Sequence, residues 1–156
     1  MSRSRNRRYP PCVGYVSKVL RLRTIPGTRR IARELLLLYG CDIPPQVSIG
    51  DNVRFEHRGI GVVLHSRVTL GDRVTIYHGV TIGRAGVSGP LGEVVVEDDV
   101  IIGTGAVLLF GERGLRIGKG ARIGANAVVL ESIPAGETWV GNPARPVRGS
   151  ESPHSH

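Results

Sequence analysis

A six-residue phrase recurs from Ile43 to Ala135 and constrains what this chain can fold into. The phrase opens on an aliphatic residue, often followed by Gly, and returns to a small or aliphatic residue four places on. Examples are Ile49-Gly-Asp-Asn-Val53, Leu70-Gly-Asp-Arg-Val74, Ile76-Tyr-His-Gly-Val80, Ile102-Gly-Thr-Gly-Ala106 and Ile123-Gly-Ala-Asn-Ala127. A period of six marks a parallel β-helix. No phrase buries its aliphatic residue alone, so the coils stack and the lead residues line a continuous interior. Gly and Asn at the intervening places suit tight corners where φ is positive. Leu, Ile and Val abound while aromatics make up 4% of the chain, which fits a core too narrow for rings.

The lead residues run Ile43, Ile49, Phe55, then Leu64, Leu70, Ile76, Ile82, then Val96, Ile102, Leu108, and finally Ile117, Ile123, Val129, Ala135. Interruptions fall near His57–Gly61, Gly83–Val95 and Gly111–Leu115. In a stack such insertions emerge as corner loops, where function concentrates. The Gly-rich stretch from Arg84 to Glu93 reads as a protruding loop. With three phrases to a triangular coil, Phe55 and Ile76 share one face once the small insertion is discounted. His57 and His78 each follow these leads by two places. The spacing therefore puts them on one corner of successive coils, about 4.8 Å apart.

At 156 residues the chain is one domain, with residues 1–40 a basic arm and short helices, 41–149 the β-helix and 150–156 a polar tail. The net charge of +8 is unevenly spread: residues 1–34 hold ten Lys/Arg against one acid, and the remainder eleven against twelve. Amphipathic spacing predicts a helix over Val13–Arg23, with Val16, Val19 and Leu20 on one face and Lys18 and Arg21 opposite. A second helix starts at Thr28 and stops at Tyr39-Gly40, with Ile31, Leu35 and Leu38 inward. These helices are read as a cap over the open end of the β-helix, compatible with weak membrane contact through the basic N-terminus. Nucleic-acid binding is not expected, because the arginines lack the interleaved aromatics of a stacking platform. Cys12 and Cys41 read as two reduced thiols. With no span-length apolar run and no signal-peptide pattern, the expected location is the cytoplasm.

Asp42-Ile-Pro-Pro, Glu56-His57, Gly61-Val-Val, the run from Gly71 to Gly83 and Gly141-Asn-Pro-Ala-Arg145 resemble the serine O-acetyltransferases of cysteine biosynthesis. The resemblance covers roughly residues 40 to 149 and implies an all-β, left-handed parallel β-helix of hexapeptide repeats with a short N-terminal helical segment. It also implies acetyl-CoA as co-substrate and a homotrimer with active sites between subunits. In that family an Asp pairs with a His fifteen residues later, a separation that Asp42 and His57 keep. The chain departs from the pattern at Glu56, where the family has Asp, at Pro44, where it has His, and by one residue inserted after His57. The family's basic-His-Pro motif after the mobile loop has no counterpart around Pro90–Val95, and the long helical domain is reduced to about forty residues.

Acetyl transfer from a thioester to a hydroxyl needs a base for the hydroxyl proton, donors for the oxyanion and an acid for the departing thiolate. A neutral imidazole serves the first and third, which assigns His57 as base with Asp42 orienting its ring. His78, Glu56 and Tyr77 are the acceptor-side residues. Backbone N–H groups at Gly-rich corners would meet the oxyanion. The corners Gly103-Thr104-Gly105 and Ala125-Asn126 suit the pantetheine arm of acetyl-CoA. Lys119 and Arg145, with Arg122 and Arg148, suit its phosphates. His65 reads as structural, and His154 and His156 carry no role. No metal is expected. The leading acceptor is L-serine and the alternative a sugar hydroxyl in polysaccharide or secondary-metabolite biosynthesis. Less favoured are a zinc β-helix lyase and a non-catalytic scaffold.

Overall fold

The computed structural model describes residues 15–22, 25, 27–38 and 40–147. The Arg-rich stretch with Cys12 and the tail with Arg148 lie outside the described residues. Two helices, α1 (Tyr15–Leu22) and α2 (Arg29–Leu38), precede the strands. The first coil is β1 (Ser48–Ile49), β2 (Arg54–Phe55) and β3 (Val63–Leu64); the second is β4 (Val68–Leu70), β5 (Thr75–Ile76) and β6 (Thr81–Arg84). The third coil is β7 (Val94–Val96), β8 (Ile101–Ile102) and β9 (Val107–Phe110); the fourth is β10 (Leu115–Ile117), β11 (Arg122–Ile123) and β12 (Val128–Val129). Then β13 (Thr138–Val140) and β14 (Arg145–Pro146) end the stack.

Strands of equal rank in each coil pair in parallel, giving three faces: β1-β4-β7-β10, β2-β5-β8-β11-β13-β14 and β3-β6-β9-β12. Only β14 runs antiparallel to its neighbour. The register places the leads in columns. Face one carries Ile49, Leu70, Val96 and Ile117; face two carries Phe55, Ile76, Ile102, Ile123 and Trp139; face three carries Leu64, Ile82, Leu108 and Val129. Nearly all of these are buried, each contributing about 1.5–3 kcal/mol of apolar transfer. The core nevertheless takes rings: Phe110 is buried at the end of β9 in the third coil. Phe55 and Trp139, both buried, occupy the two ends of the face-two column, where no further coil confines them.

The expected last lead residue, Ala135, is exposed. Ile133 bridges Ile117 below face one, and Trp139 takes the next place below Ile123. The six-residue count fails there because Pro134 and Gly136 make a turn rather than a strand.

Helix α1 falls within the expected span and buries Val16 and Val19, with Leu20 half-buried; the side chains of Lys18 and Arg21 lie outside the described part. It packs on α2, on β2 and on the turn that follows β2, so it does cover the first coil. The inward stripe of α2 differs from expectation. Ala32 and Leu36 are buried, Leu35 is half-buried, and Ile31 and Leu38 are 59% and 80% exposed. The buried stripe of α2 is thus the one that carries Ala32 and Leu36. Thr28 precedes α2 with its hydroxyl directed to the Leu22 and Ile25 carbonyls, closing the interhelical turn. Gly40 ends α2 at φ 67°, with Gly40 N–H on the Leu37 carbonyl and Cys41 N–H on the Leu36 carbonyl, a Schellman stop.

Candidate active site

The edge between faces two and three gathers most of the residues singled out from the sequence. After β5, β8 and β11 the chain turns through Tyr77-His78-Gly79, Gly103-Thr104-Gly105 and Gly124-Ala125-Asn126, and each turn sits on the next. Gly105 N–H donates to the His78 carbonyl at 3.0 Å and Asn126 N–H to the Thr104 carbonyl at 2.8 Å. Gly61, Gly79, Gly105 and Asn126 form a left-handed column with φ of 71°, 71°, 66° and 56°. Glycine is required at Gly105, where a Cβ would lie 2.4 Å from Asn126 Oδ1.

The first coil turns this edge differently. Glu56–Gly59 forms a short 3-10 turn whose His57 and Arg58 both take left-handed backbone. Its rear is held by Gly59, whose carbonyl accepts the Cys41 Sγ–H at 2.8 Å and the Val62 N–H at 3.0 Å. Burial pushes the Cys41 thiol up from its ordinary value, so it stays protonated and donates. The turn leaves His57 exposed and sets its ring 4.9 Å from that of His78, edge to face, and 6.3 Å from Tyr77. The spacing argument for the stacked pair is met. Glu56 is half-buried and pairs with Arg54 at 2.9 Å.

Asp42 stands at the head of face three, bridged to Val63 of β3, just beyond the edge that carries His57. Its Oδ1 is buried without a hydrogen-bond partner, as is Nδ1 of His78. No hydrogen bond among the described residues joins Asp42 to His57. Burying an unmet polar atom costs about 1–3 kcal/mol, so both atoms call for a partner that the described residues do not supply.

Of the phosphate-binding candidates, Arg145 pairs through its backbone with Val140 below the Gly124 corner, and Lys119 is not brought to this edge. Lys119 lies on the edge between faces one and two, its N–H on Glu97 Oε2 at 2.7 Å and its Nζ 3.9 Å from Asp98. There Arg73 clasps Asp99 with two bonds of 2.7 and 2.9 Å and holds that carboxyl below its ordinary value. Arg145 belongs to β14 and reaches Glu131 at 3.1 Å. Arg122 lies exposed on face two. The corner N–H groups of Gly79, Gly105 and Asn126 are taken by carbonyls of neighbouring coils, which narrows the choice of oxyanion donors. His65 lies on the third edge, its Nδ1 accepting the Arg67 N–H and its ring against Phe110, a packing role as expected. No group of three or more His, Cys, Asp or Glu among the described residues is placed to hold a metal.

One feature with no signal in a single phrase is the outer surface of face three. Val63, Thr81, Val107 and Val128 are in register and point outward, joined by Leu109 and Leu130. Val63 is 39% and Leu130 54% exposed, an apolar strip beside the histidine edge.

Known proteins carry the same chain plan. No protein-family model matches. The chain is 41% identical to the serine acetyltransferase of Mycobacterium tuberculosis over 129 residues, 80% of this chain and 55% of that protein. It is 36% identical to the serine acetyltransferase of Helicobacter pylori over 119 residues, 76% of this chain and 67% of that protein. Among solved structures, soybean serine acetyltransferase complexed with serine matches at a TM-score of 0.71 and 34% identity, over 85% of this chain and 56% of that one. Serine acetyltransferase from Brucella abortus in complex with coenzyme A matches at 0.71 and 29% identity, over 84% and 54%. The chain thus spans about half the length of most of these relatives.

Proposed function

This chain belongs to the serine acetyltransferase family of left-handed β-helix acyltransferases, and from that membership we propose that it transfers acetyl from acetyl-CoA to the hydroxyl of a small acceptor, L-serine first. The observation that carries this reading is the edge on which His57 stands against His78 above a column of glycine corners. In the proposed reaction His57 takes the acceptor hydroxyl proton as the oxygen attacks the thioester carbonyl. The new C–O bond forms, the C–S bond breaks, and the imidazolium returns its proton to the thiolate, giving an O-acetyl ester and CoA. Asp42 is the positioning carboxylate, and His78, Glu56 and Tyr77 border the acceptor. Gly103, Thr104, Gly105, Ala125 and Asn126 present a flat, small-residue track for the pantetheine arm. Lys119 and Arg145 remain phosphate candidates only if a neighbouring subunit's groove lies against their edges.

Use of acetyl-CoA would suit a cytoplasmic location, and no helix among the described residues is long and apolar enough to cross a membrane. The apolar outer strip of face three supports a homotrimer in which that face is covered by another copy. The surplus of basic residues near the N-terminus suits weak contact with an anionic membrane and nothing stronger.

CoA release measured with acetyl-CoA and either L-serine or sugar acceptors tests the reading. Serine turnover is expected, and turnover with a sugar alone replaces serine by the alternative acceptor. His57→Ala should lower kcat by about 10²–10⁴-fold with the assembly unchanged, and normal turnover would remove His57 from its role.

A further inference from the structure

The first coil rounds the histidine edge with more left-handed backbone than the three coils after it. Those turn on one left-handed residue each, Gly79, Gly105 or Asn126, whereas His57, Arg58 and Gly59 take φ of 51°, 62° and 66° in succession. A Cβ disfavours this conformation, so two adjacent non-glycine residues holding it are strained and must be pinned from both sides. They are. Gly59 is packed against Val16 and Phe55, and the Ile60 carbonyl accepts Gly79 N–H at 2.8 Å. The result is a rim on which an imidazole and a guanidinium occupy consecutive, exposed positions.

The charges around that rim do not cancel. Glu56 is occupied by Arg54 at 2.9 Å. Arg58 has no ion-pair partner among the described residues. The side chains facing His57, namely Tyr77 and His78, supply no anion. Next in sequence to the proposed base, a cation is therefore presented with no ion pair among the described residues.

We infer that Arg58 anchors an anionic group on the acceptor: a carboxylate held by two parallel N–H donors while the same molecule's hydroxyl reaches His57. The planar fork of arginine matches a carboxylate in this way. Granted acetyl transfer at His57, this narrows the acceptor to a small hydroxy acid of the serine type and disfavours a neutral sugar.

L-serine and L-serinamide differ in that one group, and the ratio of their kcat/KM values reads it directly. The wild type should prefer L-serine, and Arg58→Gln should lower the ratio at least about tenfold, the loss expected for one charge-assisted pair. The change should fall mainly on the KM for serine. Arg58→Lys, which keeps the charge without the fork, should restore part of the ratio. Because both acceptors meet the same enzyme molecules, any loss of folded protein cancels. A ratio unchanged in Arg58→Gln, with serine still a good substrate, overturns the anchor and leaves acetyl transfer standing. A wild type that acetylates a neutral sugar and neither serine nor serinamide overturns the acceptor reading together with the anchor.

Discussion

Gly59 is where the helical cap, the first coil and the His57 turn meet, and replacing it by alanine tests whether they are mechanically joined. At φ 66° its added Cβ would lie 3.1 Å from Val16 Cγ2 and 3.3 Å from Phe55 Cβ. Two costs follow. The left-handed backbone charges a non-glycine residue about 1–2 kcal/mol, offset by about 0.4–1 kcal/mol because alanine restricts the unfolded chain. Both neighbours must then shift by a few tenths of an ångström in a packed core, an overpacking cost of about 1–3 kcal/mol. The expected destabilisation is about 2–4 kcal/mol. Gly86→Ala is the control, since Gly86 has φ 85° with nothing within 4 Å of the added Cβ and should lose only about 1 kcal/mol. Denaturant unfolding at one fixed protein concentration, followed by far-UV circular dichroism and by fluorescence of the sole tryptophan, Trp139, reads both ends of the stack. If the coils unfold as one, both signals shift together; if the first coil frays alone, the dichroism shifts and Trp139 does not. Equal losses in Gly59→Ala and Gly86→Ala would refute the packed junction, and with it the idea that α1 steadies the His57 turn.

Other expectations are independent of that junction. Gly105→Ala, whose Cβ would meet Asn126 Oδ1 at 2.4 Å in left-handed backbone, should displace the corner and weaken CoA binding by about tenfold or more in calorimetry, with a cooperative melt retained. Leu130→Asp puts a charge on the apolar strip of face three and should turn the assembly into monomers by light scattering; an unchanged mass would move the interface elsewhere. Cys41 has its folded pKa raised above the ordinary 9.0, so the unfolded chain releases its proton first. Its contribution is complete below that value and lost as pH rises through it. Stability should therefore fall above pH 9.0, more steeply in the wild type than in Cys41→Ser.

The parts of this fold that obey a period were legible in the sequence, and the parts that depend on counting across insertions were not. Phe55 and Ile76 were placed in register by spacing, and that carried His57 to His78. The wording of a phrase does not by itself tell which edge it forms. Ile117-Gly-Lys-Gly resembles Ile102-Gly-Thr-Gly in wording, yet Ile117 pairs with Val96 on face one and Ile102 with Ile76 on face two. Three near-identical edges differ only by how many residues each insertion adds. Ala135 was misplaced for a related reason, since a Pro-Ala-Gly turn imitates the phrase without forming its strand. In α2 both the Ile31–Leu38 stripe and the Ala32–Leu36 stripe are apolar, and only the partner helix decides between them. The pairing of Asp42 with His57 belongs to a third kind, in which a separation along the chain does not specify a bond.

The antiparallel β14 carries a consequence for solubility. A stack of parallel coils has two raw ends, each a row of unspent backbone groups onto which another molecule can build without limit. Here the lower end is folded back on itself, and the residue opposite Trp139 is Pro146, which has no N–H to offer. At the upper end α1 packs on the first coil, with α2 against it. Growth along the axis is opposed at both ends, which leaves the flanks, where the histidine edge lies, as the surfaces open to a partner.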